Sequence, residues 1–197
     1  MFKINLLDLI GYLAIIVIII SLLSLGIQLT GKVTDSTSRI NITISGMATI
    51  NFSIDNINFG SGSVNIGSNN ATIDTLGNVI NGNWSLVTQG FVLENIGNKN
   101  VTLNLKSGKT AAGFLGGTGP SYQYNITNIE AGSCTEAEAT LGAWRDVNTG
   151  GDGDLICNPF KFSESANSIK IDLKLVIPSD ARVGSSSDVF TATGTAV

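Results

Sequence analysis

Hydrophobic and polar positions divide the chain into two regimes. From Leu9 to Leu29 (LIGYLAIIVIIISLLSLGIQL) nearly every side chain is apolar, and no charge occurs between Leu9 and Gly31. A buried amphipathic helix would keep a polar stripe, whereas this run is apolar on every face. Coiled as a helix, its 21 residues would span about 31 Å, enough for the roughly 30 Å hydrocarbon core of a bilayer. A cleaved signal peptide would carry a shorter apolar stretch and end at a small-x-small site, for which Ser21, Ser24 and Gly26 are poor material. Residues 1–31 are therefore expected to be a membrane anchor crossing through residues 9–29, with the N-terminus cytoplasmic. A cleaved signal and a helix that bundles into a filament core are the alternatives.

After the anchor the period becomes two. Residues 32–38 (KVTDSTS) read as a polar linker, and residues 39–197 as one β domain. Arg39–Ser45 (RINITIS) alternates strictly, with Ile40, Ile42 and Ile44 on one face, and Met47–Ile54 repeats the pattern. Further strands are expected at Trp84–Thr88, Gly90–Glu94, Asn100–Leu105, Tyr122–Thr127, Ser168–Ile177 and Asp188–Thr195. The clearest is Ser168–Ile177, with Ile169, Ile171, Leu173, Leu175 and Ile177 inward, Lys170, Asp172 and Lys174 outward, and a stop at Pro178. Gly-, Asn- and Ser-rich turns separate these runs, and Ala137–Leu141 is the nearest approach to helical spacing. Many short alternating strands predict an all-β fold, an antiparallel β-sandwich of Ig-like or jelly-roll type behind one N-terminal hydrophobic helix. Its core is expected to include Trp84, Phe91 and Phe190.

Composition sharpens the location. Only 13% of the 197 residues are charged, about half the usual share. Asn, Ser, Thr and Gly supply the polarity instead, as befits a secreted or cell-surface domain. The chain has no histidine, which removes serine and cysteine triads, HExxH zinc sites and imidazole general bases. With a net charge of −4 and scattered cations, it lacks the basic footprint of a nucleic-acid binder.

A few features carry candidate chemistry. Cys134 and Cys157 are the only cysteines; in an oxidising compartment they would form a disulfide, the alternatives being two buried thiols or half of a metal site. N-x-S/T sequons stand at Asn41, Asn51, Asn70, Asn83, Asn100 and Asn125, candidate glycosylation sites where the host has the pathway, although chance alone supplies about four. Asp146, Asn148, Asp152 and Asp154 alternate around glycines like the first part of a calcium loop. Gly150 and Cys157 then occupy two ligand positions, so an ordinary polar turn competes with structural calcium. Ser107-Gly-Lys-Thr110 lacks the upstream glycine of a phosphate loop, and Gly113 to Pro120 lacks the strand-to-helix context for a dinucleotide; both read as hairpin loops. Glu94, Glu130, Glu136, Glu138 and Glu164 could make a histidine-free glycosidase only if two faced each other across a cleft.

Two passages resemble known families. Gly90–Leu105 (GFVLENIGNKNVTLNL) is similar to the F-x-L-x-N-x-G-N…V-T-L hairpin of surface β-sandwich domains, and Ile177–Gly184 with Asp188–Thr195 is similar to their closing strands. The pattern resembles secreted archaeal Ig-like proteins and the TasA/camelysin type of filament subunit. That resemblance implies an extracellular structural protein that polymerises by strand exchange, with Arg39–Ser45 as donor. The camelysin label of metallopeptidase does not transfer without a zinc site. The layout is also similar to archaeal type IV pilins and archaellins, although no glycine precedes Gly11 to mark their processing site. The expectation is a non-enzymatic cell-surface protein, membrane-anchored or filamentous. A surface binding module, an adhesin or glycan binder, would instead need an exposed aromatic cluster built from Tyr122, Tyr124 and Trp144.

Overall fold

The computed structural model describes residues 5, 7, 10–19, 42, 46–135 and 141–197, and the chain divides into two units, Met1–Thr43 and Ile44–Val197. In the first unit residues 10–19 are helical, with the side chains of Ile10, Leu13 and Ile15 exposed. Among the described residues no helix is long and apolar enough to cross a membrane. Leu9, residues 20–29 of the expected span and all of Arg39–Ser45 except Ile42 lie outside the described residues.

The second unit is an antiparallel β-sandwich built around one long strand. In chain order its described strands are β1 (Ile50–Ile54), β2 (Asn70–Asp74), β3 (Val79–Ile80), β4 (Phe91–Asn95), β5 (Val101–Ser107), β6 (Ser121–Asn128), β7 (Arg145–Asp146), β8 (Asp154–Phe160), β9 (Ser168–Pro178) and β10 (Phe190–Ala196). β9 has 11 residues, about twice the common strand length, so its two edges are covered differently. β6 runs along one edge from Asn128 opposite Ile169 to Ser121 opposite Val176. On the other edge two short strands lie end to end: β4 pairs with residues 168–171 and β2 with residues 174–178. β1 extends the sheet beyond β4, β3 beyond β2 and β7 beyond β6, giving seven described strands. β5 lies between β10 and β8 in the second, three-stranded sheet.

The junction between β4 and β2 is filled by Thr75 and Gly90. Thr75 N–H donates to the Leu173 carbonyl at 3.0 Å, and its Oγ1 accepts from Leu173 N–H at 3.0 Å. The same hydroxyl donates to Asp172 Oδ1 at 2.7 Å. At Gly90 a methyl group would stand 2.6 Å from the Ile171 carbonyl oxygen and 2.7 Å from Asp172 Oδ1. Asp172 is thus buried, against the expectation that it faces solvent. It does lie on the outer face of the sheet, but the strand junction closes over its carboxylate.

Period two places the core where the pattern says. Ile169, Ile171, Leu173, Leu175 and Ile177 meet Ile73, Leu93, Tyr122, Tyr124 and Ile126 on their own sheet and Val101, Leu103, Leu105, Ile156 and Phe160 on the other. An aromatic chain closes one flank of the sandwich. Phe52, Phe91, Phe190, Tyr122 and Phe114 follow one another with ring centroids 4.9–5.8 Å apart, spacings at which edge-on and tilted rings attract. Trp84 packs against the core, but residues 84–88 form no strand. Its ring lies on Gly62 and Gly82, where an added methyl would come within 2.3 Å and 2.7 Å of it. The loop after β5 holds a short helix, Ala111–Leu115, rather than a plain hairpin turn: Thr110 Oγ1 accepts from Gly113 N–H at 3.1 Å as its N-cap.

Cys134 and Cys157 are joined by a disulfide with Cα atoms 5.5 Å apart. It ties the segment following β6, which lies beside β8 through the Cys134–Phe160 bridge, to the middle of β8. Asn128 holds the same point without covalency, accepting from Cys134 N–H at 2.9 Å and donating to its carbonyl at 3.1 Å. Asn95, wholly buried, holds the same end of β8 from β4, donating to the carbonyls of Lys99 and Phe160 at 2.9 and 3.1 Å.

Replacing Gly90 with Ala should cost about 1–3 kcal/mol, because backbone oxygen cannot yield to the new methyl. Gly150→Ala, whose methyl would stand 3.4 Å from Asn148 Oδ1 in an exposed turn, should stay within about 0.5 kcal/mol. Urea denaturation of both variants separates the two cases. Removing the disulfide as Cys134→Ala with Cys157→Ala should lower stability by about 3.4 kcal/mol on the chain-entropy model, read as a lower urea midpoint.

Candidate functional site

The Asp/Asn/Gly turn joins the two sheets. β7 sits beside β6 with Arg145 opposite Tyr124 and Asp146 opposite Gln123, and β8 begins at Asp154. Asp154 Oδ2 accepts from the Tyr124 hydroxyl at 2.6 Å, while Oδ1 accepts from Asn148 Nδ2 at 2.9 Å. Asn148 in turn accepts from Gly150 N–H through Oδ1 at 2.8 Å and from Ser107 N–H through its carbonyl at 2.9 Å. Asp146 Oδ1 accepts from Gln123 Nε2 at 3.0 Å, and Asp152 is exposed. Gly153 has φ of +86°, and a methyl there would come within 2.1 Å of the Leu105 carbonyl oxygen, so only glycine allows this close approach. Of the four oxygen-bearing residues, Asn148 and Asp154 are brought together, Asp146 turns to its neighbouring strand, and Asp152 stands apart. Among the described residues no group of three or more His, Cys, Asp or Glu side chains is arranged to hold a metal ion.

A second polar cluster forms where β5 meets the approach to β10. Ser107 Oγ donates to Asp188 Oδ2 at 2.6 Å, and Lys109 Nζ donates to the Ser187 carbonyl. The lysine of the Gly-Lys-Thr sequence therefore fastens a loop. Nearby, Thr118 donates to Asp180 through its backbone N–H at 2.9 Å and its hydroxyl at 2.8 Å. Those two bonds, the backbone one first, hold the exposed Asp180 carboxyl below its ordinary range.

Tyr122 and Tyr124 are 3% and 1% exposed. An exposed aromatic cluster with Trp144 is accordingly not formed; Trp144 is half-buried, with Lys174 Nζ 4.7 Å from its ring centre. Both phenols are pushed well above their ordinary value by burial first, then by a carboxylate: Asp188 acts on Tyr122 and Asp154 on Tyr124. Among the sequons, Asn51, Asn70 and Asn83 are exposed, Asn100 is half-buried, Asn125 is buried at 6% exposure, and Asn41 lies outside the described residues. Of the glutamates, Glu94 accepts from Ser53 Oγ at 2.9 Å and Glu130 from Asn167 N–H at 2.7 Å. Glu136 and Glu138 lie outside the described residues.

The pattern of the sequence missed the pair Asp172 and Asn125, which face each other across β9 and β6 on the outer side of the larger sheet. An isolated Asp between isoleucine and leucine looks like any outward position. What buries it is Thr75, 97 positions away.

The tyrosines make a pH dependence with a definite sign. In the fold each holds its proton above the ordinary value of 10.0, so the unfolded chain releases protons first. Stability is complete below about pH 10 and should fall above it by about 1.4 kcal/mol per pH unit for each tyrosine. Tyr124→Phe should remove one tyrosine's share of that slope and cost about 1.5–3 kcal/mol at neutral pH through the lost bond to a carboxylate. Urea titrations of both proteins from pH 8 to pH 11 test this.

No protein-family model, no curated protein and no solved structure matches the chain.

Proposed function

We propose that this chain is a non-enzymatic structural protein of the cell surface, with residues 9–29 in the membrane and the β-sandwich outside. The observation that carries the reading is a buried disulfide in a sandwich whose chain also carries the 21-residue uncharged run Leu9–Leu29. Disulfides persist where the surroundings are oxidising, and an apolar run of that length suits an anchor leading to such a compartment. The polar clusters support a structural role as well, since Asp154, Asp188 and Lys109 are each engaged in bonds that fix loops or sheets. Exposed Asn51, Asn70 and Asn83 would be the glycan acceptors on such a surface.

Assembly into an extracellular filament is part of the proposal. β1 (INFSI) and β10 (FTATGTA) end their sheets on one side, and neither contains a charge or a proline. Charges and prolines are what ordinarily discourage pairing at an edge. The two strands adjoin, with Ile50 3.3 Å from the methyl position of Gly194. Arg39–Ser45, only a few residues upstream of β1, has the alternation of a strand that could add to such an edge in a second copy.

Two measurements test the reading. A membrane-impermeant amine label applied to intact cells should mark the sandwich lysines; labelling only after lysis would overturn the surface location. Negative-stain microscopy of native envelopes should show fibres that disappear in an Ile42→Pro strain, and unaltered fibres in that strain would remove the strand-exchange version.

A further inference from the structure

The outer face of the larger sheet holds three side chains whose chemistry is complementary. Asp172 and Asn125 stand directly opposite each other on β9 and β6, and Lys170 is two residues along β9 on the same face. Asp172 is 1% exposed and Asn125 6% exposed. Lys170 Nζ lies 2.8 Å from Asp172 Oδ1, an oxygen that also accepts from the Thr75 hydroxyl at 2.7 Å. Asn125 Oδ1, by contrast, is buried with no hydrogen-bond partner. Leaving a buried carbonyl oxygen unbonded costs about 1–3 kcal/mol, so an amide in this position calls for an explanation.

We propose that Lys170 and Asn125 are a site of self-catalysed covalent cross-linking, in which the lysine amine and the asparagine carboxamide condense to an isopeptide bond assisted by Asp172. Residues diagonal across an antiparallel pair have Cα atoms about 7–8 Å apart, within reach of long side chains, and a lysine stem is long enough to bring its nitrogen to the opposing carboxamide carbon. Asp172 takes a proton from the Lys170 ammonium. The neutral amine attacks Cγ of Asn125, and Asp172 returns the proton to the carboxamide nitrogen as it leaves. One C–N bond forms and one breaks. Of the three protons on the ammonium, one remains on the new amide and two depart with the old amide nitrogen, which is released as ammonium. The step needs no oxidant, nucleotide or metal. Burial of Asp172 and Asn125 lowers the local dielectric, which strengthens the effect of the carboxylate on the proton it moves.

This site is separate from the proposed anchor and assembly surfaces, and its test does not depend on them. The full-length protein, reduced and denatured, is digested and its peptides are mapped by mass spectrometry. The expected result is a branched peptide joining residues 125 and 170, lighter by one ammonia than its two linear parts. Recovery of linear peptides carrying an intact Lys170 and Asn125 would overturn the proposal, as would a glycan found on Asn125. Lys170→Arg keeps a cation beside Asp172 but cannot form the amide. It should retain the wild-type circular dichroism and lose the branched peptide completely, as should Asn125→Ala. Loss of ammonia persisting at Asn125 in Lys170→Arg would show a different reaction and count against the cross-link. Asp172→Asn should lower the cross-linked fraction at least tenfold in protein that still folds; an unchanged fraction would remove the assigned role of Asp172.

Discussion

The edge of β9 is the constraint from which the rest of the sandwich follows. A strand of 11 residues offers more backbone donors and acceptors along one side than any single five-residue neighbour can satisfy. β6 is long enough to serve one side alone. On the other side β4 and β2 share the work, and the place where they meet must be closed by something other than a ladder. Thr75 does this by imitating a strand residue with its hydroxyl and N–H, and Gly90 by offering no side chain. The buried carboxylate of Asp172 is a product of that junction. So is the division of the sheet into two arms, one carrying β1 and the other β3.

How much of this was legible depended on whether local pattern and long-range packing agreed. β5 and β9 alternate cleanly because both present one face to the core throughout, and their expected limits fall within about two residues of the observed ones. β8 was invisible because its register shifts against β5, burying the consecutive Ile156 and Cys157 and breaking the period of two. β2 begins with an asparagine and ends with an aspartate whose carboxylate caps the following turn, accepting from Leu76 and Asn78 N–H. Those residues look like loop. β3 and β7 have two residues each, too few for any periodicity. Trp84–Thr88 erred the other way. Trp84 lays its indole on two glycines, a contact that needs no strand, and Leu86 is exposed.

The candidate sites repeat this lesson at the level of single side chains. Spacing drew attention to Asp146, Asn148, Asp152 and Asp154 as oxygen donors, but spacing does not record what the neighbouring strands bring. Tyr124 arrives from β6 and Gln123 beside it, and together they occupy two of the four. The disulfide was readable because two cysteines leave little choice of partner. The asparagines that carry comparable structural duty, Asn95 and Asn128, were not. Asn95 opens the Asn-Ile-Gly-Asn turn that carries the chain from β4 in the larger sheet to β5 in the smaller, and its amide ties that turn to the end of β8.

The position of β1 has a mechanical meaning. It is the first described strand of the second unit, it sits at a sheet edge, and it is paired with β4 alone, through four register positions. A pull applied upstream of β1 would therefore load those few pairs, and with them the Phe52 end of the aromatic chain, before it reached β9 or the disulfide. β1 acts as a fuse in the load path. Its release would withdraw Ile50 and Phe52 from the edge of the core while leaving the pairs of β9 with β6 and β2 untouched.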